Sequence, residues 1–303
     1  MKWFILITLC IAGLVAWSLL GPDRRDSAHV VNVLGSTSVE PFAGMLAEEV
    51  NRKYPTLKVK VQGGGSAAGL LAIENNIADI GMCSRALKDD EKSRYAGIEI
   101  ARDSLAIVAH PSNPLSGLTS DQIRHIFAGS VANWKDVGGP DRPIRLITRE
   151  EGSGTREAFT TLMMEERRQT VTRDASGKTV THEQTIKHMI SLKALTQESN
   201  GAVKELVKHD PCAIGYMSLG LVGKELKILA VDGVVPTCQA VLEGRYVLAR
   251  PFLFVIKGKP SDSAKLFIRY VLSPRGQELL EKEGLVRSCN ASLPPQEGSV
   301  PTR

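Results

Sequence analysis

The most constraining feature of this chain is a unit that it repeats: an apolar strand, a turn rich in glycine and hydroxyl residues, and then a helix. Residues 30–34 run into Gly-Ser-Thr-Ser at 35–38, and a helical pattern starts at Phe42. Residues 57–61 alternate as a strand does and run into Gly-Gly-Gly-Ser at 63–66, again before a helical pattern. This alternation predicts an α/β fold, in which ligands bind beyond the carboxyl ends of the strands.

A further unit of this kind also carries two arginines. Residues 144–148 predict a strand, residues 156–164 predict the start of a helix, and the turn between them contains Gly-Ser-Gly-Thr. Glycines let a backbone approach a ligand closely, and the unpaired amides and positive dipole end of a helix N-terminus attract anions. Arg149 and Arg156 beside this turn suggest a tetrahedral oxyanion such as phosphate or sulfate. The alternative is an ordinary capped turn with solvated arginines.

Composition narrows the class of protein. The chain has 303 residues, which suits one large domain or two ordinary ones, and 43% hydrophobic with 23% charged residues is typical of a soluble globular protein. The net charge of +5 comes from dispersed basic residues, and aromatic residues make up only 5%. We therefore expect no nucleic-acid partner.

The N-terminal segment predicts export. Residues 4–20 are almost entirely apolar and are followed by a polar stretch, which indicates a signal peptide or a single membrane anchor over residues 1–28. Cys10 favours a lipoprotein only weakly, because Leu9 before it is not the small residue that such a site needs. We expect the rest of the chain to be periplasmic or extracytoplasmic, with cleavage of the segment left open.

The cysteines and histidines do not predict a metal site or a cofactor. Neither residue type shows the spacing of zinc ligands. Export makes a disulfide possible, and buried free thiols are an equally good interpretation. Four cysteines follow the apolar segment: Cys83, Cys212, Cys238 and Cys289.

Several motifs in a fixed order resemble those of the periplasmic phosphate-binding proteins of ABC transporters, over residues 30 to about 284. They are Gly-Ser-Thr-Ser-Val-Glu-Pro at 35–41, Gly-Gly-Gly-Ser at 63–66, Ala-Asp-Ile-Gly-Met-Cys-Ser-Arg at 78–85 and Arg-Glu-Glu-Gly-Ser-Gly-Thr at 149–155. The resemblance implies a two-lobed type II periplasmic-binding-protein fold, with a mixed sheet and flanking helices in each lobe and the ligand in the cleft. We expect one lobe at 29–109 plus 252–292, the other at 110–251, and a disordered tail at 293–303.

The resemblance also implies a set of phosphate ligands from both lobes. The matching positions in this chain are Thr37, Ser38, Ser66, Ser84, Arg85, Arg149, Ser153, Gly154 and Thr155. Arg85 departs from the best-known members, which carry an aspartate there that accepts a hydrogen bond from the protonated oxyanion and so rejects sulfate. Rejection of sulfate would then come from Glu40, Glu150 or Glu151, or be weaker.

The function that this resemblance implies is capture of inorganic phosphate for an inner-membrane ABC permease, by a monomeric binding protein with no catalytic activity. Three alternatives remain. An anchored phosphate or oxyanion sensor, or a sulfate-type binder, would use the same site. An exported serine hydrolase would use Ser153, although Gly-Ser-Gly is not the nucleophile-elbow motif. A nucleotide-dependent enzyme would use Gly63 and Gly65, although the chain lacks a Walker lysine.

Overall fold

The computed structural model of this protein describes residues 29–173 and 179–288. The predicted signal or anchor at 1–28, Cys289 and the predicted disordered tail lie outside the described residues. Within the described ranges, no helix combines the length and apolar character needed to cross a membrane.

Strands and helices alternate along much of the chain, as the sequence predicts. The strands are β1 His29–Gly35, β2 Leu57–Gly63, β3 Ile80–Cys83, β4 Ala96–Ala109, β5 Gly117–Leu118, β6 Arg145–Arg149, β7 Glu165–Arg173, β8 Thr179–Lys187, β9 Leu195–Gln197, β10 Ala213–Ser218, β11 Lys227–Val231, β12 Ala249–Ile256 and β13 Val286–Arg287. The α-helices are α1 Glu40–Lys53, α2 Ser66–Glu74, α3 Asp89–Lys92, α4 Ser120–Ala128, α5 Gly154–Phe159, α6 Asn200–His209, α7 Cys238–Leu242, α8 Asp262–Leu272 and α9 Pro274–Lys282. Shorter helical turns are Trp134–Val137, Thr160–Met164 and Leu219–Leu221.

The long strand β4 belongs to both lobes. Its first part pairs antiparallel with β12, which in turn pairs with β3 and, through it, with the parallel strands β1 and β2. Its second part pairs antiparallel with β10 and β11, and β10 leads to β6 and β9. The sequence predicts two strands here, at 98–101 and 104–110. The structure has one, because pairing with β12 continues through the polar residues 102–104.

Separate hydrophobic clusters lie on the two sides of this crossing. The first packs α1, α8 and α9 on the sheet around Leu46, Phe254 and Phe267. The second surrounds Tyr216, whose ring stacks on Phe159 with centroids 4.0 Å apart. Residues 105, 107 and 109 of β4 belong to the second cluster, which favours a crossing near residue 104. The predicted lobe boundary after residue 109 remains a prediction.

The parallel arrangement of β1, β2 and β3 brings their glycine- and serine-rich turns to one edge of the first sheet. Helix α2 packs closely there: a Cβ on Gly69 would lie 2.6 Å from the carbonyl oxygen of Leu34. Only glycine permits this approach of the helix to β1. The repeated units of the sequence therefore place three turns side by side.

One predicted segment was wrong. Residues 165–188 were predicted as helix ends and a surface excursion; they are mostly exposed, but their described part forms the antiparallel pair β7 and β8 and no helix. Both strands are rich in threonine and contain a valine, residue types that favour strands even without an apolar face.

Cys83, Cys212 and Cys238 are free thiols.

Candidate anion-binding site

The first lobe contributes hydroxyl groups from its three turns. Thr37 and Ser38 follow β1, Ser66 begins α2, and Ser84 follows β3. All except Thr37 are fully buried. The amide of Ser84 donates to Ser66 Oγ over 3.2 Å, and the two serine Oγ atoms lie 3.5 Å apart. The structure thus brings together predicted residues that are far apart in the sequence.

The second lobe contributes the segment from Arg149 to Thr155. Arg149 ends β6, and Ser153 caps α5 by accepting a hydrogen bond from the Arg156 amide over 3.3 Å. Gly154 and Thr155 are the first residues of that helix, so their amides have no acceptor within it. Arg156 itself donates from Nη1 to the carbonyl of Arg149 over 2.8 Å, which supports the loop.

These two sets of residues meet across the cleft. Ser38 Oγ lies 2.8 Å from Thr155 Oγ1, and the Ala67 amide donates to the Gly152 carbonyl over 3.0 Å. A Cβ on Gly154 would overlap Ser66 Oγ and lie 2.7 Å from Ser84 Oγ. The structure is therefore a closed arrangement in which the second lobe contacts the turns of the first.

Arg149 is buried at this junction, with 1% of its surface exposed. Its Nε and Nη2 atoms donate to the Glu150 carboxylate, each over 2.9 Å, and Nη2 also donates to Thr37 Oγ1 over 3.1 Å. Backbone carbonyls of Gln197 and Glu198 complete its contacts. Its Nη1 atom is buried and has no hydrogen-bond partner among the described residues. A buried guanidinium nitrogen without an acceptor is costly unless a ligand supplies one.

Arg85 lies in a different environment. Its Nη1 and Nη2 atoms contact the two oxygens of the buried Glu91 carboxylate at 2.6 and 2.8 Å, and its Nε lies 2.8 Å from Glu157 Oε2 on the other lobe. Lys88 Nζ reaches the same Glu157 oxygen over 2.8 Å. Burial acts to raise the pKa of Glu91, but the hydrogen bonds from Arg85 and the Lys88 amide, together with the positive charges of both residues, hold that pKa below its usual range. Nη1 and Nη2 therefore have hydrogen-bond partners on Glu91, whereas Nε is close to the Glu157 carboxylate without a hydrogen bond to it.

The three carboxylates considered for rejection of sulfate have other contacts. Glu40 Oε1 accepts a hydrogen bond from the Gly63 amide over 2.8 Å. Both oxygens of Glu150 face Arg149. Glu151 is exposed and lines an outer cleft with Lys88, Arg156 and Glu157.

Sequence reasoning missed a buried ion pair on the crossing strands. Arg250 and Asp103 are register partners in β12 and β4, and Arg250 Nε and Nη2 contact Asp103 Oδ2 at 2.9 and 2.8 Å. Arg250 also donates to Thr155 Oγ1 over 2.9 Å, to Ser38 Oγ over 3.2 Å and to the Ser84 carbonyl over 3.1 Å. Burial raises the pKa of the Asp103 carboxyl, and Arg250 opposes that rise. Charged residues inside otherwise apolar strands were the signal that could have found this pair.

Asn200 was missed as well. It begins α6 behind the cap residue Ser199, and its Nδ2 donates to Ser38 Oγ over 2.9 Å. The Ser218 amide donates to Asn200 Oδ1 over 3.2 Å, which fixes the orientation of the side-chain amide. Asn200 lies within the stretch Glu-Ser-Asn-Gly-Ala-Val at 198–203, so the sequence held a usable signal.

Two lobes joined by paired crossing strands, with a candidate site lined by donors between them, are typical of a substrate-binding protein. The chain belongs to the PBP superfamily: the family model described as a PBP superfamily domain matches residues 23–275.

The relatives narrow this class. A substrate-binding protein from Clostridium perfringens, assigned to a phosphate ABC transporter and solved with bound phosphate, is 35% identical. It aligns over 86% of this chain and 100% of its own, with a TM-score of 0.76. An ABC-type phosphate transport receptor from Vibrio cholerae is 33% identical over 85% of this chain and 100% of its own, with a TM-score of 0.67. The phosphate-binding protein PstS of Borreliella burgdorferi is 28% identical over 87% of this chain and 91% of its own. The resemblance to the phosphate-type binding proteins is confirmed.

Proposed function

We propose that this protein captures inorganic phosphate between its two lobes and delivers it to an ABC permease. The observation that carries the proposal is the buried Nη1 atom of Arg149, which has no partner among the described residues and lies where both lobes contribute hydroxyl donors. A tetrahedral oxyanion would supply the missing acceptor. The solved relative with bound phosphate supports phosphate as that anion.

The nine ligands that the resemblance implies divide into two groups under this proposal. Eight of them are the hydroxyl, amide and guanidinium donors at the junction of the lobes: Thr37, Ser38, Ser66, Ser84, Arg149, Ser153, Gly154 and Thr155. Arg85 is assigned to holding the lobes together, because its nitrogens face Glu91 and Glu157.

Binding then couples to closure through simple electrostatics. In an enclosed site, each charge-assisted hydrogen bond is stronger than in water, and closure removes the competing water. The closed shape is the state that a permease could recognise. We propose that the protein acts outside the cytoplasmic membrane, as a monomer and as a binding protein without catalytic activity.

The test is isothermal titration calorimetry with phosphate on Arg149→Ala. Losing about two hydrogen bonds to a charged group, at about 1.5–3 kcal/mol each, predicts an affinity loss of about 100-fold or more. Arg145→Ala is the matched control, because Arg145 starts the same strand, pairs with Asp210 and is half exposed. Unchanged phosphate affinity in Arg149→Ala, with an intact circular dichroism spectrum, would rule out the proposed site.

A further inference from the structure

The guanidinium of Arg250 has every hydrogen engaged by the protein itself. Its Nε donates to Asp103 Oδ2 over 2.9 Å, and its Nη2 donates to the same oxygen over 2.8 Å and to Ser38 Oγ over 3.2 Å. Its Nη1 donates to the Ser84 carbonyl over 3.1 Å and to Thr155 Oγ1 over 2.9 Å. A guanidinium has five N–H donors, so these hydrogen bonds leave none for a ligand.

Arg149 differs from Arg250 in this respect, although both side chains are 1% exposed. Arg149 uses its Nε and Nη2 atoms in hydrogen bonds to the protein and keeps Nη1 without a partner among the described residues. The two buried arginines therefore have different roles at the junction of the lobes. Arg149 can donate to an anion, whereas Arg250 can affect an anion only through the groups that it holds.

The acceptors of Arg250 include proposed ligands from both lobes. Ser38 and Ser84 follow β1 and β3 in the first lobe, and Thr155 belongs to α5 in the second. Because a guanidinium is planar and rigid, the directions of its N–H bonds fix where these acceptors lie relative to one another. One side chain thus sets the spacing of three turns that are far apart in the sequence.

The crossing strands hold Arg250 in place. Arg250 in β12 is the register partner of Asp103 in β4, and both of its hydrogen bonds to Asp103 end on one carboxylate oxygen. The ring of Phe252, two residues along the same strand, lies 5.3 Å from the guanidinium carbon. Separation of the lobes would take Thr155 away and leave one Nη1 donor without its acceptor, and closure restores that hydrogen bond.

We infer that Arg250 is a positioning residue of the anion site, which aligns Ser38 and Ser84 of the first lobe with Thr155 of the second without contacting the anion itself. This inference rests on the proposed phosphate function of the same site. The alignment exists only when the lobes are together, whereas the anion first meets an open cleft. Loss of the alignment therefore speeds dissociation of the anion more than it slows association.

The decisive variant is Arg250→Lys, which keeps a positive charge beside Asp103 but replaces the rigid fork by three donors on one nitrogen. Calorimetric titration with inorganic phosphate should show an affinity loss of about tenfold or more, because several of the aligning hydrogen bonds are lost. Stopped-flow measurements should place most of that loss in the dissociation rate, because the retained charge preserves the attraction of the anion.

A double-mutant cycle with Thr155→Val tests whether Arg250 acts through Thr155. Valine has the shape of threonine but offers Arg250 no acceptor. The loss of phosphate affinity caused by Arg250→Lys should therefore be at least about threefold smaller in the Thr155→Val background than in the otherwise unchanged chain. Losses that simply multiply would overturn the inference.

Tyr246→Phe is the matched control, because it weakens the crossing strands by another route. The buried Tyr246 hydroxyl donates to the Leu105 carbonyl over 2.7 Å, rather than to a proposed ligand. This variant should lose stability toward denaturant but keep its phosphate affinity within about twofold. An affinity loss equal to that of Arg250→Lys would show that destabilising these strands is sufficient, and would overturn the inference.

The neutral double variant Asp103→Asn/Arg250→Gln provides the same test if Arg250→Lys does not fold, because it buries no unpaired charge. A full chain that binds no phosphate overturns the proposed function, and the inference falls with it. A full chain that binds phosphate with an affinity that neither Arg250→Lys nor the neutral double variant lowers overturns the inference alone and leaves the function standing.

Discussion

Two clusters of charged side chains lie at the boundary between the lobes, and each contains two cations and two carboxylates. We call them the outer cluster and the inner cluster. The outer cluster consists of Arg85, Lys88, Glu91 and Glu157. The inner cluster consists of Asp103, Arg149, Glu150 and Arg250. Their formal charges are the same, and each has one buried guanidinium nitrogen without a hydrogen-bond partner among the described residues, Arg85 Nε and Arg149 Nη1. The two differ in that Arg85 Nε itself lies 2.8 Å from a carboxylate oxygen of Glu157, whereas Arg149 makes its ion pair with Glu150 through Nε.

The difference shows that charge count does not locate an anion site. In the outer cluster, three guanidinium nitrogens face carboxylates, and its Lys88 and Glu157 are partly exposed to solvent. In the inner cluster, Arg149 Nη1 has no partner among the described residues. Under the proposed function, the donor without a protein acceptor marks the binding site, and the matched ion pairs hold the two lobes in contact.

The largest expected effect on binding is that of Gly154→Ala, which fills the space beside the inner cluster. The new methyl group would overlap Ser66 Oγ across the cleft, so the lobes could not close fully. We expect calorimetry to show at least about a 100-fold loss of phosphate affinity, because closure completes the donor set. Thermal stability without ligand should change little, since an open form avoids the overlap. Gly44→Ala is the control, because a Cβ there meets no atom within 4 Å.

The next largest effect is expected on stability, from Arg85→Met in the outer cluster. Removing one partner leaves the buried Glu91 uncompensated, which costs about 3–5 kcal/mol of unfolding free energy. Chemical denaturation should show this loss, and adding Glu91→Gln should recover part of it. Phosphate affinity should fall by less than about tenfold. A loss of about 100-fold with stability retained would instead make Arg85 a ligand, as the resemblance implies.

A smaller effect is expected from Glu157→Gln, which removes the outer contact between lobes without burying an unpaired charge. Glu157 is one-quarter exposed and accepts both Arg85 and Lys88, so solvent screens the interaction. We expect stopped-flow measurements to show phosphate dissociation a few-fold faster, with a smaller effect at high salt. Glu205→Gln, on the exposed face of α6, is the control. Equal effects in both variants would contradict a role in closure.

The smallest effect is expected from pH, through Glu91. Its pKa is lowered in the folded protein relative to about 4.3 when unfolded, so it contributes stability above that value. The contribution is lost as the pH falls through the lower folded-state pKa. Acid denaturation of Glu91→Gln, which lacks this titration, should therefore depend less steeply on pH in that range. Identical acid profiles for the two proteins would contradict the assigned pairing.

Most strands and helices could be predicted from the sequence because turns rich in glycine and serine separate clear apolar periods. The resemblance implies Ser38 and Ser66 as ligands on the basis of these same turns, and the structure places both side chains at the junction of the lobes. The polar hairpin of β7 and β8 was not predicted, because strands without an apolar face lack the alternation that identifies them. The continuity of β4 could not be predicted, because the polar residues 102–104 resemble a break between two strands. Only their pairing with β12 shows that the strand continues.

The inner cluster could be predicted only in part, since its pairs come from distant parts of the chain. Asp103 and Arg250 are 147 residues apart, and only the sheet register places them together. For Arg85 the motif match predicts a place near the site but not its contacts. Those contacts include Glu157, which lies 72 residues later in the chain. Local sequence patterns identify the loops, whereas contacts between distant parts of the chain decide which group each charged side chain pairs with.

The position of β12 in the sheet also predicts the order in which the two lobes fold. β12 lies between β3 and β4, yet it is synthesised after the whole second lobe. Apart from Val286, the buried members of the second hydrophobic cluster all come from residues 105 to 248, so we expect this cluster to form first as the chain emerges. One edge of β3 therefore stays unpaired until β12, near the end of the chain, has been synthesised. Pulse-labelled hydrogen exchange during refolding should accordingly protect β10 before β3, and simultaneous protection would contradict this order.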